Sequence, residues 1–89
     1  MASSQLGGDI DQMGQLQSQL RQRSGDVQQL RTSLTSMIQN TWWQGPAASR
    51  FKDEWNGQYS GSLQKLEQLL DELGQEVQRR KDALVQVSQ

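Results

Sequence analysis

The hydrophobic residues of this chain form two stripes with heptad spacing, one in each half. In the first half, one series places apolar residues seven apart, and a second series follows three residues behind it. The first series is Leu6, Met13, Leu20, Val27 and Leu34, and the second is Leu16, Leu30 and Met37. Residues with this spacing line one side of an α-helix. The stripe therefore predicts a long amphipathic helix from about residue 8 to about residue 40.

The second half carries a stripe of the same kind. One series contains Leu63, Leu70, Val77 and Leu84, and the other contains Tyr59, Leu66, Leu73 and Val87. Phe51 and Trp55 extend the stripe upstream, which predicts a second helix from about residue 47 to about residue 86. Gly57, Gly61 and Gly74 each weaken that helix by about 1 kcal/mol relative to alanine. We expect these glycines to permit close approach of the first helix.

A chain reversal is predicted between the stripes, at residues 41–46. Pro46 is the only proline, and it suits the first turn of a helix, where a missing N–H costs no hydrogen bond. Gly45, just before it, can adopt turn conformations that other residues avoid. Asp9, with Gln12 three residues later, predicts the N-cap of the first helix. The expected fold is all-α, a single antiparallel two-helix hairpin over residues 1–89.

A lone two-helix hairpin leaves much of its apolar seam in water, so we expect a second hairpin to cover it and form a four-helix bundle. Fully burying one large apolar side chain contributes about 1.5–3 kcal/mol, and many such side chains are present. The predicted core and dimer seam comprises Met13, Leu16, Leu20, Val27, Leu30, Leu34, Phe51, Trp55, Tyr59, Leu63, Leu66, Leu70, Leu73 and Val77.

The residue types present argue against catalysis. The chain has no His and no Cys, which removes the usual general base, nucleophile and zinc ligands. Adjacent carboxylates occur at 53–54 and at 71–72, but neighbours one residue apart do not face each other on a helix. The spaced oxygen ligands of a calcium loop are also missing. We therefore expect no enzymatic activity, no cofactor and no metal.

Charge and hydropathy limit the partners. The net charge is −1, and the only basic cluster, residues 79–81, lies near the end of the second helix, where cations complement the helix dipole. A nucleic-acid partner is therefore not expected. No run of 18 apolar residues occurs, and the first nine residues lack the basic start and apolar stretch of a secretory leader. Export, if it occurs, is expected to use another route.

The centre of the chain carries the sequence Trp43-Gln44-Gly45, followed by Ala47, Ala48, Phe51 and Trp55. With the chain length and the flanking heptads, this arrangement resembles the Trp-x-Gly (WXG) proteins of about one hundred residues, typified by the early secreted antigenic target family of mycobacteria. The resemblance covers essentially the whole chain. It implies a helical hairpin exported folded, as a dimer, by a type VII (ESX) secretion system.

The resemblance also implies partners and a location. The expected partners are a second WXG protein, as homodimer or heterodimer, and the type VII secretion ATPase. The protein would be secreted or held at the cell surface, as an effector or as a co-secreted adaptor. Trp43 and Gly45 would belong to the recognition patch at the hairpin end, although a loop tryptophan can equally serve packing. Which of Trp42 and Trp43 points inward is left open.

One departure from the family pattern concerns the export signal. Family members that carry it usually end in Tyr-x-x-x-Asp or Tyr-x-x-x-Glu, but Tyr59 is the only tyrosine and is followed four residues later by Leu63. Three explanations stay open, in this order: the signal-free half of a heterodimer, a homodimer exported with a larger partner, or a shortened chain. The alternative functions are a membrane-active amphipathic protein and a plain coiled-coil dimerisation module.

Overall fold

The chain folds into an elongated antiparallel helical hairpin. The structure, a computed structural model, describes residues 7–88 and measures 66 × 18 × 16 Å. Its elements, in chain order, are helix α1 (Ile10–Asn40), helix α2 (Pro46–Glu54), a π-helical segment (Trp55–Tyr59) and helix α3 (Ser60–Ser88). The predicted all-α hairpin is confirmed. Leu6, which was expected to begin the first apolar series, lies outside the described residues.

The ends of the helices are set by local chemistry. Asp9 is the N-cap of α1, and its Oδ1 accepts a hydrogen bond of 3.0 Å from the backbone N–H of Gln12. Gly45 has φ of 112°, in a region that L side chains rarely adopt, and Pro46 is the first residue of α2. These two residues reverse the chain between the two arms of the hairpin.

The second arm contains one irregularity that heptad spacing does not predict. Between α2 and α3 the backbone is wound as a π-helix, and the N–H of Ser60 donates to the carbonyl oxygen of Trp55. A π-turn adds one residue to the helix and so rotates the residues after it about the helix axis. Ala48 and Trp55, seven apart, are both buried, and the half-buried series resumes at Leu63, eight residues beyond Trp55.

The two long helices pack side by side along one central seam. Its members are half-buried and recur every seven residues on both helices. They are Met13, Leu20, Val27 and Leu34 on α1, and Leu63, Leu70, Val77 and Leu84 on α3. Among the described residues, Ala48 and Trp55 are the only buried hydrophobic ones, so the hairpin has very little enclosed core of its own.

Candidate protein interaction surface

The central seam has a polar edge on one broad side of the hairpin. On α1 this edge carries Gln17, Ser24 and Arg31, and on α3 it carries Ser60, Glu67, Gly74 and Lys81. Each set is spaced by seven residues, and each member lies three residues, about one helical turn, before a member of the central series. Gln17, Ser24, Arg31 and Glu67 are hydrogen-bonded between the helices, so this edge is closed by polar contacts.

Glu67 is the centre of the polar edge. Ser24, which is 6% exposed, donates from Oγ to the backbone carbonyl oxygen of Glu67 at 2.9 Å. Arg31 Nε lies 2.7 Å from Glu67 Oε2 in an ion pair between the two helices. The hydrogen bond with Glu67, supported by the charge of that carboxylate, raises the pKa of Arg31 above its ordinary value. These contacts fix the register of α1 against α3.

Gly74 is where α3 approaches α1 most closely among the glycines of the second arm. A Cβ at this position would lie 3.2 Å from Arg21 Cγ and 3.6 Å from the carbonyl oxygen of Gln17. The expectation for the other two glycines was wrong, because a Cβ at Gly57 or Gly61 would meet nothing within 4 Å. Gly61 lies two residues before Leu63 of the central seam, on the outer side of α3, and Gly57 lies within the π-helical segment.

The opposite edge of the seam is apolar and open to solvent. Its residues lie three or four positions from members of the central series, and the antiparallel direction of α1 and α3 brings both sets onto the same broad side. Their exposed fractions run from 40% to 62%. We call this surface the open face; its residues are Leu16, Leu30, Met37, Tyr59, Leu66 and Leu73.

Two arginines continue the spacing of the open face, and each is neutralised within its own helix. Arg23 pairs with Asp26 at 2.7 Å, and Arg80 pairs with Glu76 at 2.7 Å. Glu76 also pairs with Arg79 at 2.6 Å, and hydrogen bonds from Arg79 and then Arg80 lower the pKa of Glu76. The open face therefore presents apolar side chains together with arginines that are paired within their own helices.

The hairpin end displays an aromatic cluster. Trp42 is 85% exposed and Trp43 is 43% exposed, so Trp43 is the more enclosed of the two. The rings of Trp43 and Phe51 are 5.6 Å apart and inclined by 48°, a tilted aromatic contact. We call Trp42, Trp43 and Phe51 the tip cluster. Gly45 provides the turn that brings Phe51 back to Trp43.

The residues predicted as one seam are divided by the structure into three environments. Trp55 is buried. The half-buried members are Met13, Leu20, Val27, Leu34, Leu63, Leu70 and Val77, and the exposed members are Leu16, Leu30, Phe51, Tyr59, Leu66 and Leu73. The polar edge at Ser24, Arg31, Glu67 and Gly74 was not predicted from the sequence. The signal that could have revealed it is the recurrence of small and polar residues seven apart, next to each apolar series.

Within residues 7–88, no group of acidic side chains is arranged to hold a metal ion. The same part of the chain contains no helix long and apolar enough to cross a bilayer. The described residues present an apolar face along the hairpin and an aromatic cluster at one end.

These features define a class of protein, a helical hairpin with one open apolar side and a tryptophan–glycine turn at its end. A family model described as "proteins of 100 residues with WXG" matches residues 5–89, and the chain belongs to this family. Members are small secreted proteins of type VII secretion systems, typically form dimers with other WXG proteins, and are not known as enzymes. No curated protein and no solved structure matches the chain.

Proposed function

We propose that this chain is a non-enzymatic substrate of a type VII secretion system, exported folded as a dimer with a second WXG hairpin. It serves as a secreted effector or as a co-secreted adaptor. The open face is the dimer interface, and Trp43 with Gly45 forms part of the surface that the secretion ATPase recognises. The open face is the observation that carries this proposal.

The energetics of the open face support dimerisation. Its six side chains are about half exposed, so covering them would recover roughly half of the 1.5–3 kcal/mol that full burial of each is worth. The sum is comparable with the whole stability of a small domain, about 5–15 kcal/mol. A hairpin with almost no buried hydrophobic residues gains a core in this way. Leu30 and Leu66, near the middle of the face, would be central to it.

The tip cluster supports a recognition role. It combines exposed aromatic surface with a rigid turn, and exposed aromatic side chains on a fixed backbone are typical of residues that dominate protein–protein binding. The contact with Phe51 orients the ring of Trp43 while leaving part of it accessible. A partner protein can therefore contact Trp43 without the side chain first leaving a packed core.

The export role is tested by secretion of tip variants. The chain and its variants are expressed in a bacterium with an active type VII system, and the fraction in the culture supernatant is measured beside the fraction retained in cells. Trp43→Ala and Gly45→Ala are expected to lower the exported fraction by about 10-fold or more, the loss typical of an interface hot spot. Gln44→Ala changes the middle residue of the motif and serves as the matched control.

Sedimentation of each purified variant separates the two roles of the tip. The proposal requires that Trp43→Ala stays as dimeric as the unmodified chain while its export falls. If the dimer is lost together with export, Trp43 acts in packing and the recognition role is wrong. Unchanged export of Trp43→Ala contradicts the recognition role directly.

A further inference from the structure

We propose that, in a dimer of two copies of this chain, the indole of Trp42 in one copy fills a groove at the opposite end of the other copy. The two hairpins then lie antiparallel, with each tip level with its partner's helix ends. This inference rests on the proposed dimerisation through the open face. It adds a second copy as the partner and a role for a tryptophan that the WXG motif does not require.

The groove lies between the start of α1 and the end of α3, at the far end from the tip. It has a volume of about 390 Å³, within the size range of pockets that hold small ligands. The lining is mainly apolar, with one arginine, and comprises Gly7, Gly8, Met13, Arg80, Ala83, Leu84 and Val87. Gly8 keeps it open, because a Cβ there would lie 3.0 Å from Met13 Sδ.

The groove is continuous with the open face. Arg80 and Val87 come after Leu73 at steps of seven residues, so they extend the α3 series of that face to the end of the hairpin. Val87 is 83% exposed. A second hairpin that covers the open face therefore also reaches the groove.

The open face has the symmetry that a second copy requires. On α1, the midpoint between Leu16 and Met37 falls between Asp26 and Val27, and on α3 the midpoint between Tyr59 and Leu73 is Leu66. These two midpoints lie at the same height, that is, at the same position along the long axis of the hairpin.

The polar edge establishes that common height. Glu67, next to Leu66, bonds both Ser24 and Arg31, which lie on either side of the α1 midpoint. A single two-fold axis across the helices thus brings Leu16 opposite Met37 of the second copy in antiparallel order, and Leu66 opposite its own copy. Tyr59 then lies opposite Leu73, and Leu30 lies opposite Arg23, whose charge is paired with Asp26. Such self-complementarity is the requirement of a symmetric homodimer.

The same axis brings the tip of one copy to the groove of the other. At 1.5 Å per residue, the end of α1 at Asn40 lies about 20 Å from the midpoint, and two further residues carry Trp42 to about 25 Å. Arg80 and Val87 lie about 20 Å and about 30 Å from Leu66 in the other direction. Trp42 therefore reaches the level of the groove.

The chemistry of the two partners also matches. Trp42, at 85% exposed, is the large hydrophobic side chain with the most solvent contact in the described part of the chain. An indole carries about 150–250 Å² of surface, and its face attracts cations such as the guanidinium of Arg80. Seating Trp42 between Met13 and Val87 of the second copy would remove the most exposed aromatic surface from water.

Cross-linking tests this arrangement, and the absence of native cysteine makes single-cysteine variants clean probes. Thr41→Cys places a thiol beside Trp42 and keeps the indole, and Val87→Cys places one at the groove. The two full-length variants are mixed and treated with a short bis-maleimide. We expect a cross-linked dimer from the mixture and none from either variant alone. A mixture of Gln29→Cys and Val87→Cys, in which Gln29 lies on the outer side of α1, is the control for random collision.

The outcomes are distinct. Cross-linking of Thr41→Cys to itself would mean that the tips lie together, and it overturns the antiparallel arrangement. A dimer in sedimentation with no cross-link from the mixture also overturns it. A monomer at all concentrations overturns the choice of a second copy as partner, while the export of Trp43→Ala tests the proposed function separately.

A second measurement tests the contribution of the indole itself. Trp42→Ala is expected to raise the dimer dissociation constant by about 10- to 30-fold, as for a central aromatic anchor. Gln44→Ala, a neighbouring exposed position in the same turn, is expected to leave it unchanged. An unaltered dissociation constant for Trp42→Ala contradicts the insertion of this side chain.

Discussion

The indole Nε1–H of Trp55 donates a hydrogen bond of 2.9 Å to Oγ1 of Thr35, and this bond joins the π-helical segment to α1. Thr35 Oγ1 in turn donates to the carbonyl oxygen of Arg31 at 2.7 Å. Trp55 is the largest buried side chain in the described residues. In the tip half of the hairpin, the buried ring of Trp55 therefore joins the second arm to α1, and its only polar atom has a hydrogen-bond partner.

We predict that Trp55→Phe lowers the free energy of unfolding by about 1–2 kcal/mol, because it loses this hydrogen bond and part of the buried ring. Thr35→Val should cost a similar amount, since the indole N–H is then buried without an acceptor. Urea denaturation at fixed protein concentration measures both. The double variant should lose less than the sum, and strict additivity would show that the bond contributes nothing.

A second prediction concerns the close approach at Gly74. Gly74→Leu is expected to cost about 1–3 kcal/mol, because a larger side chain pushes against Arg21 and the backbone of Gln17. Gly25→Leu makes the same change at an exposed position of α1 with nothing within 4 Å, and it should gain about 0.5–1 kcal/mol from helix propensity. Equal effects of the two substitutions in denaturation would contradict the packing described here.

A third prediction concerns acid. The folded pKa of Glu76 lies below its unfolded value because Arg79 and Arg80 bind the carboxylate. Its contribution to stability is therefore complete above the ordinary pKa of glutamate, about 4.3, and is lost as the pH falls through the lowered value. Glu76→Gln should lower the Tm slightly at pH 7, and the difference from the unmodified chain should shrink as the pH falls below the ordinary glutamate pKa and vanish below the lowered pKa of Glu76.

Glu72→Gln is the matched control for this series. This substitution removes the same charge one turn earlier on α3, and within residues 7–88 Glu72 forms no ion pair. Its effect on Tm should be smaller than that of Glu76→Gln at pH 7. A Tm difference for Glu76→Gln that persists unchanged to pH 3 would show that the ion pairs with Arg79 and Arg80 contribute nothing.

Heptad spacing was sufficient to predict the fold, because each stripe is long and regular and Gly45-Pro46 separates them. It could not predict which residues of a stripe face the other helix. Leu16 and Met13 are both apolar and only three residues apart, so periodicity alone treats them as one surface. The structure places Met13 in the seam and Leu16 outside it.

The residues that decide the orientation are polar or small. Ser24 and Gly74 allow the helices to come together, and Arg31 with Glu67 sets their register. Because they are not apolar, the heptad pattern of apolar residues gives no information about them. The π-helical turn at Trp55 was equally hidden, because heptad spacing gives no sign of it; Trp55 is bonded to Thr35, twenty residues away along the chain.

Sedimentation equilibrium of three proteins tests most directly whether the open face is an interface: the unmodified chain, Leu66→Glu and Gln68→Glu. Leu66 lies at the centre of the open face, whereas Gln68 lies on the outer side of α3 and receives the same added charge. We predict a dimer for the unmodified chain and for Gln68→Glu, and a monomer for Leu66→Glu at the same concentration. The claim that the open face is an interface would be contradicted by a monomeric unmodified chain. It would also be contradicted by a Leu66→Glu dimer as tight as that of Gln68→Glu.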